Sequence, residues 1–120
     1  MIPELDNDDL HLREVLKRCS ERTYFAAREF RKTGSTDHLP AIVHGVIERY
    51  VDRELRVKMR TPSNELRLAE DLGLDSLSMM EIVMLAEDVL RITIDNDELR
   101  QLRTLDDVLQ FVERKLALNG

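Results

Sequence analysis

Apolar residues return at steps of three and four along most of this 120-residue chain, and no stretch gives a convincing strand. The chain is therefore expected to be all-α. Leu12, Val15, Leu16 and Cys19 stand at i, i+3, i+4 and i+7, one face of a helix that Asp8 or Asp9 would cap. Ser20 either opens a second helix carrying Tyr24, Phe25, Ala26, Ala27 and Phe30, or one helix runs through both stretches. Gly34 is a reasonable stop, with Arg31 and Lys32 in the last turn, where cations are favoured. A wide stripe of Ile42, Val43, Val46, Ile47, Tyr50, Val51 and Leu55 predicts a helix that begins between Asp37 and Pro40. That helix fades over Val57 to Arg60, before the break at Thr61-Pro62-Ser63-Asn64.

Residues 61–75 read as a long loop pinned by Leu66, Leu68, Leu72 and Leu74, and loops of that length in a compact domain are uncommon unless functional. A helix follows from about Ser76 to Leu90, after which Ile92 and Ile94 cross back towards the core. Asp95-Asn96-Asp97 caps a short helix through about Leu102. Thr104, with Asp107 three residues on, has capping-box spacing and opens a last helix with Leu105, Val108, Leu109, Val112 and Leu116 on one side. Antiparallel amphipathic elements in this order bury their stripes together as a small four-helix bundle over residues 37–118. Residues 1–36 add one or two helices in front of it.

Composition narrows the partners. Tryptophan is absent and aromatics are scarce, so Leu, Ile, Val and Met pack the core, and five methionines suit a core that adapts its shape. The net charge of −6 is unevenly spread: residues 75–113 hold ten acids against three bases. Such a surface repels nucleic acid and attracts basic patches on partner proteins. The single Cys19 excludes an internal disulfide and a cysteine-based zinc site, and its place on an apolar stripe suits a buried structural thiol. The longest apolar run, Ile82-Val83-Met84-Leu85-Ala86, is far short of a membrane span. Early acids and no basic-then-apolar pattern give no secretory signal, so a cytoplasmic location is expected.

The stretch Glu70-Asp71-Leu72-Gly73-Leu74-Asp75-Ser76-Leu77 places one serine where the long loop runs into an apolar helix. Asp75 and Ser76 both suit a helix start, since their oxygens can accept from backbone N–H groups that lack partners there. Gly73 gives the turn conformational room. A serine hydroxyl at a helix N-terminus faces free amides and the positive end of the helix dipole, which favours a covalently attached phosphate. A plain capped helix start is the simpler reading of the same residues.

The stretch resembles the prosthetic-group attachment motif of acyl carrier proteins, and the helix order over about residues 40–118 is similar to their fold. The resemblance implies that Ser76 receives a 4'-phosphopantetheine arm from coenzyme A, with Asp75 and Leu77 beside it. A phosphopantetheinyl transferase would attach the arm. Acyl-transferring, condensing and modifying enzymes with basic docking patches would then use it. It further implies apolar partner contacts at Leu77 and Met80, and carboxylates that meet partner arginine and lysine at Glu81, Glu87 and Asp88. Asp71 would help the transferase dock. Met84, Ile94 and Leu99 fall near where such domains sequester an acyl chain, although plain core packing explains them as well. The chain itself would be no enzyme and hold no metal.

The chain departs from the family pattern at Ser78, where an acid is frequent, at Asp95, where proline is frequent, and at Arg91, which adds a cation after the helix. The extension has no counterpart in the minimal domain; it would cover part of the bundle, form a homodimer or contact a specific synthase. Fatty-acid and polyketide-type cargo share this fold and serine with peptidyl, aryl and aminoacyl cargo. A helical interaction module that carries no arm is the reading from another class, and Tyr24, Phe25 and Phe30 are its support. A hydrolase reading of Ser76 lacks support: His11, His38 and His44 stand in no hydrolase context and Gly-x-Ser-x-Gly is absent.

Overall fold

The computed structural model describes residues 7–60 and 65–119. These form α1 (Asn7–Val15), α2 (Glu21–Thr33), α3 (Leu39–Tyr50), α4 (Arg53–Arg56), α5 (Ser76–Leu90), α6 (Asn96–Arg100) and α7 (Leu105–Asn119). Two 3-10 turns, Thr36–His38 and Val57–Arg60, complete the helical elements. No strand occurs among the described residues; only an isolated antiparallel bridge joins Arg67 to Thr104. The fold is all-α, as the periodicity implied.

Local chemistry accounts for most of the boundaries. Ser20 caps α2 and accepts from the Thr23 amide, so the first two stripes belong to two helices. Gly34 ends α2 at φ 71°, a left-handed conformation suited to glycine. Asp95 and Glu98 form a capping box on α6. At α7, Thr104 Oγ1 accepts from the Asp107 amide at 3.1 Å, and Asp107 Oδ2 accepts from the amides of Thr104 and Arg103 at 3.1 and 3.0 Å.

Two expectations are corrected. The stripe drawn through Leu55 does not lie on one helix, because α3 stops at Tyr50 and Val51 is extended. The Arg56 guanidinium reaches back to the carbonyls of Val51 (2.8 Å) and Arg49 (3.4 Å), which satisfies that helix end from the next element. Asp8 and Asp9 lie in the first turn of α1 and not at its cap. Position 6, which precedes the helix, lies outside the described residues.

One hydrophobic core runs through the molecule. Leu12, Leu16, Tyr24, Ala26 and Ala27 from the extension are buried in the same cluster as Ile42, Val46, Leu72, Val89 and Val112. The extension therefore folds back onto α3 and α5. Cys19, half-buried in the α1–α2 turn, has its thiol pushed up by desolvation, as befits an unreactive group. Phe25 remains half exposed. No described helix is long and apolar enough to cross a membrane.

The α2–α3 crossing is close at Gly45. A Cβ added there would meet Thr23 Oγ1 and come within 2.7 Å of Thr23 Cγ2. Thr23 is itself buried and β-branched, so it has little room to turn away. Gly45→Ala is expected to destabilise the fold by about 1–3 kcal/mol through overpacking, read as a lower urea midpoint with an unchanged slope.

The loop before α5 is pinned from two sides. Leu68, Leu72 and Leu74 are buried and Leu66 packs against the core. The Leu68 amide donates to Arg103 O and the Leu105 amide to Leu66 O, both at 2.9 Å. Residues 61–64 of the expected long loop lie outside the described residues.

Candidate functional site

The site is built where this pinned loop enters α5. Asp71 holds the loop together: its carboxylate accepts from the Arg67 amide at 2.8 Å and from the Arg67 guanidinium at 3.2 Å. Lys58 donates to the Asp71 carbonyl at 3.2 Å. Gly73 then takes φ 69°, which lets the chain turn under Leu55. Asp75 is the N-cap of α5, and its Oδ1 accepts from the Ser78 amide at 2.8 Å. Ser76 is the first helical residue and its side chain is exposed. Among the described residues its hydroxyl has no hydrogen-bond partner.

These caps are electrostatic as well as geometric. The Arg67 guanidinium holds the Asp71 carboxyl below the usual carboxylate range, and the Ser78 amide does the same to Asp75. The amides of Arg103 and Thr104 lower Asp107. A carboxyl that titrates lower in the folded chain than in the unfolded one, about 3.9, contributes stability that is complete above that value. That contribution is lost as the pH falls through the lower folded values. Urea midpoints should therefore hold down to roughly pH 5 and fall below it. Asp107→Asn, which keeps an acceptor but does not titrate, should flatten the acid limb.

Helix α5 presents two apolar faces. Leu77, Met80 and Met84 are 65, 58 and 67 % exposed and form an outer stripe descending from Ser76. Glu81 is exposed beside that stripe. The inner face closes an apolar cavity of about 30 Å³ whose walls include Val46, Met79, Val83, Ile94, Leu102 and Phe111. Of the three residues expected at an acyl-chain pocket, Ile94 lines this cavity. Met84 does not, because it shares the outward face with Leu77 and Met80. Leu99 is half-buried on α6 and also lies outside the lining. Nothing in the sequence pattern singles out Met79 or Val83 as pocket residues; their inward placement comes from packing against α3 and α7.

Three carboxylates expected to face partners already hold contacts within the chain. Asp71 holds Arg67, as described. Glu87 Oε2 accepts from the Ile94 amide at 2.9 Å and so ties the cavity-lining loop to α5. Asp88 Oδ1 lies 2.7 Å from His11 Nε2 of the extension. Glu81 has no such contact among the described residues. The histidines are placed away from a catalytic role: His11 on Asp88, His44 on the Met59 carbonyl at 3.0 Å, and His38 at the start of α3. No cluster of metal-ligating side chains occurs among the described residues.

The family model for the phosphopantetheine attachment site matches residues 46–112, which run from α3 through α7 and include the whole loop and α5. The chain belongs to the acyl carrier protein family. Its relatives agree. The acyl carrier protein of Kocuria rhizophila is 34% identical over 76 residues, 63% of this chain and 93% of the relative. That of Wolinella succinogenes is 34% identical over 67 residues, 56% of this chain and 88% of the relative. That of Exiguobacterium sibiricum is 45% identical over 47 residues, 39% of this chain and 60% of the relative.

The cofactor of this acyl carrier protein is 4'-phosphopantetheine. The site chemistry fits the group: an accessible hydroxyl without a competing hydrogen bond stands on the first residue of a 15-residue helix, where the dipole favours a phosphate. The matched segment begins inside α3, so the extension stands outside it.

Proposed function

We propose that Ser76 is the attachment point and that the chain tethers acyl intermediates for fatty-acid or polyketide-type biosynthetic enzymes. The observation that carries this reading is the exposed, unpartnered Ser76 hydroxyl at the first position of α5. The matched segment holds two other serines. Ser63 lies outside the described residues, and Ser78 is half-buried within the first turn.

When bound, the arm supplies a terminal thiol that carries the acyl group as a thioester. The protein's own residues position and recognise. Asp75 fixes the helix start, so that the Ser76 hydroxyl projects from a defined point. Asp71 and the buried leucines hold the loop rigid behind it. Tethering raises the effective concentration of cargo at a partner's active site. Leu77, Met80 and Glu81 offer an apolar contact flanked by a carboxylate, suited to a partner with an apolar hollow beside a cation. Pairs of this kind orient an encounter more than they fix its affinity. The apolar cavity, with Ile94 and Met79 in its wall, is the place for an acyl chain to shelter once α3, α5 and α7 part.

Incubation with coenzyme A and a phosphopantetheinyl transferase should raise the intact mass by one phosphopantetheinyl group. A properly folded chain that stays bare under those conditions overturns the reading. The extension sets this chain apart from the minimal carrier domain and supports a specialised partner set. Comparing acyl-, aminoacyl- and aryl-loading enzymes on the modified chain fixes the cargo class.

A further inference from the structure

We infer that the N-terminal extension is a selectivity element: it takes the distal half of α5, around Asp88, away from basic partner surfaces and confines docking to the proximal half below Ser76. The inference rests on the carrier reading of Ser76.

The distal end of α5 is occupied from within. Arg31 of α2, only 9% exposed, donates to the carbonyls of Asp88 (2.7 Å) and Val89 (3.1 Å). Its guanidinium also pairs with Asp8 of α1, and the same Asp8 oxygen accepts from Arg91 at 2.7 Å. His11 meets the Asp88 carboxylate at 2.7 Å. The distal end thus carries Arg31, Arg91 and His11 beside Asp8 and Asp88. A partner cation approaching Asp88 must displace His11 next to Arg91, whose side chain is largely exposed. Like charges brought together at an interface suppress the wrong partner.

The proximal end is the opposite case. Leu77, Met80 and Met84 are exposed, and Glu81 has no ion-pair partner among the described residues. Arg31 and the shared apolar core hold the extension against the helix end without His11. The His11–Asp88 contact is half-exposed on both sides and adds little to stability. Its consequence falls on the electrostatics of docking.

The test is a double-mutant cycle on phosphopantetheine transfer by a transferase with an arginine-rich docking face. The rate constant kcat/KM is measured for the wild type, His11→Ala, Asp88→Asn and the double variant. Freeing Asp88 in His11→Ala should raise kcat/KM by about two- to five-fold at low salt, with the gain fading at high salt. Asp88→Asn should cost more in the His11→Ala background than in the wild type, and the double variant should return to the wild-type level. Unchanged melting of His11→Ala keeps the comparison clean. No gain in His11→Ala, or equal losses from Asp88→Asn in both backgrounds, overturns the inference. Should none of the four chains acquire the group, the attachment reading fails by itself. Binding of the same transferase to Ser76→Ala chains with and without His11 then decides the inference by the same ratio.

Discussion

Ser76→Ala should remain at its unmodified mass under conditions in which the wild type gains one phosphopantetheinyl group, while Ser78→Ala is still modified. The loss is expected to be complete, because attachment needs a hydroxyl at that position and no neighbouring oxygen stands in the same place. Ser78 is half-buried and its amide already serves the Asp75 cap. The variant separates chemistry from folding. Ser76 is exposed and unpartnered among the described residues, so its truncation should shift stability by no more than about 0.5 kcal/mol. Intact-mass spectrometry and a thermal melt on the same sample make both measurements. A modified Ser76→Ala chain would move the attachment elsewhere and end the present assignment.

Arg31→Leu should lower the stability of the chain by about 2–4 kcal/mol and the melting temperature by roughly 10 °C. The guanidinium satisfies two carbonyls at the end of α5, where Arg91 stands at φ 56° in place of a glycine. Without it, Asp88 O and Val89 O lose their donor in a nearly buried setting, and Asp8 loses one of its two arginines. Each orphaned group carries a desolvation penalty that water reaches poorly. Arg31→Lys should fall between, since an ammonium keeps the charge but lacks the planar fork that reaches three acceptors. Far-UV circular dichroism melts supply the comparison. A melting temperature for Arg31→Leu within a degree or two of the wild type would show that the guanidinium adds little to what the shared apolar core already supplies.

What the sequence made legible was local. The α2 cap at Ser20, its stop at Gly34, the α5 start at Asp75–Ser76, the α6 cap at Asp95 and the box at Thr104/Asp107 all depend on residues within four positions of each other. The candidate serine was legible for the same reason. What it left open was set by distant partners. The end of α3 depends on Arg56 turning back to Val51. The docking of the extension depends on Arg31 meeting a helix end 57 residues further on. Met84 was misplaced because α5 is apolar on both faces, and periodicity alone does not say which face the core takes. Asp88 reads as an exposed acid in the sequence, and only the fold brings His11 beside it.

The close crossing of α2 and α3 bears on how this chain can be cut and recombined. Gly45 sits one residue before the matched segment begins, and its missing side chain is the slot that receives Thr23. A graft taken at the family boundary would discard both halves of that fit together with Arg31, and would expose Val46 and Val89 to water. Fusions and chimaeras should therefore be joined ahead of α1 or beyond α7, with the first 45 residues carried along as part of the transplanted unit.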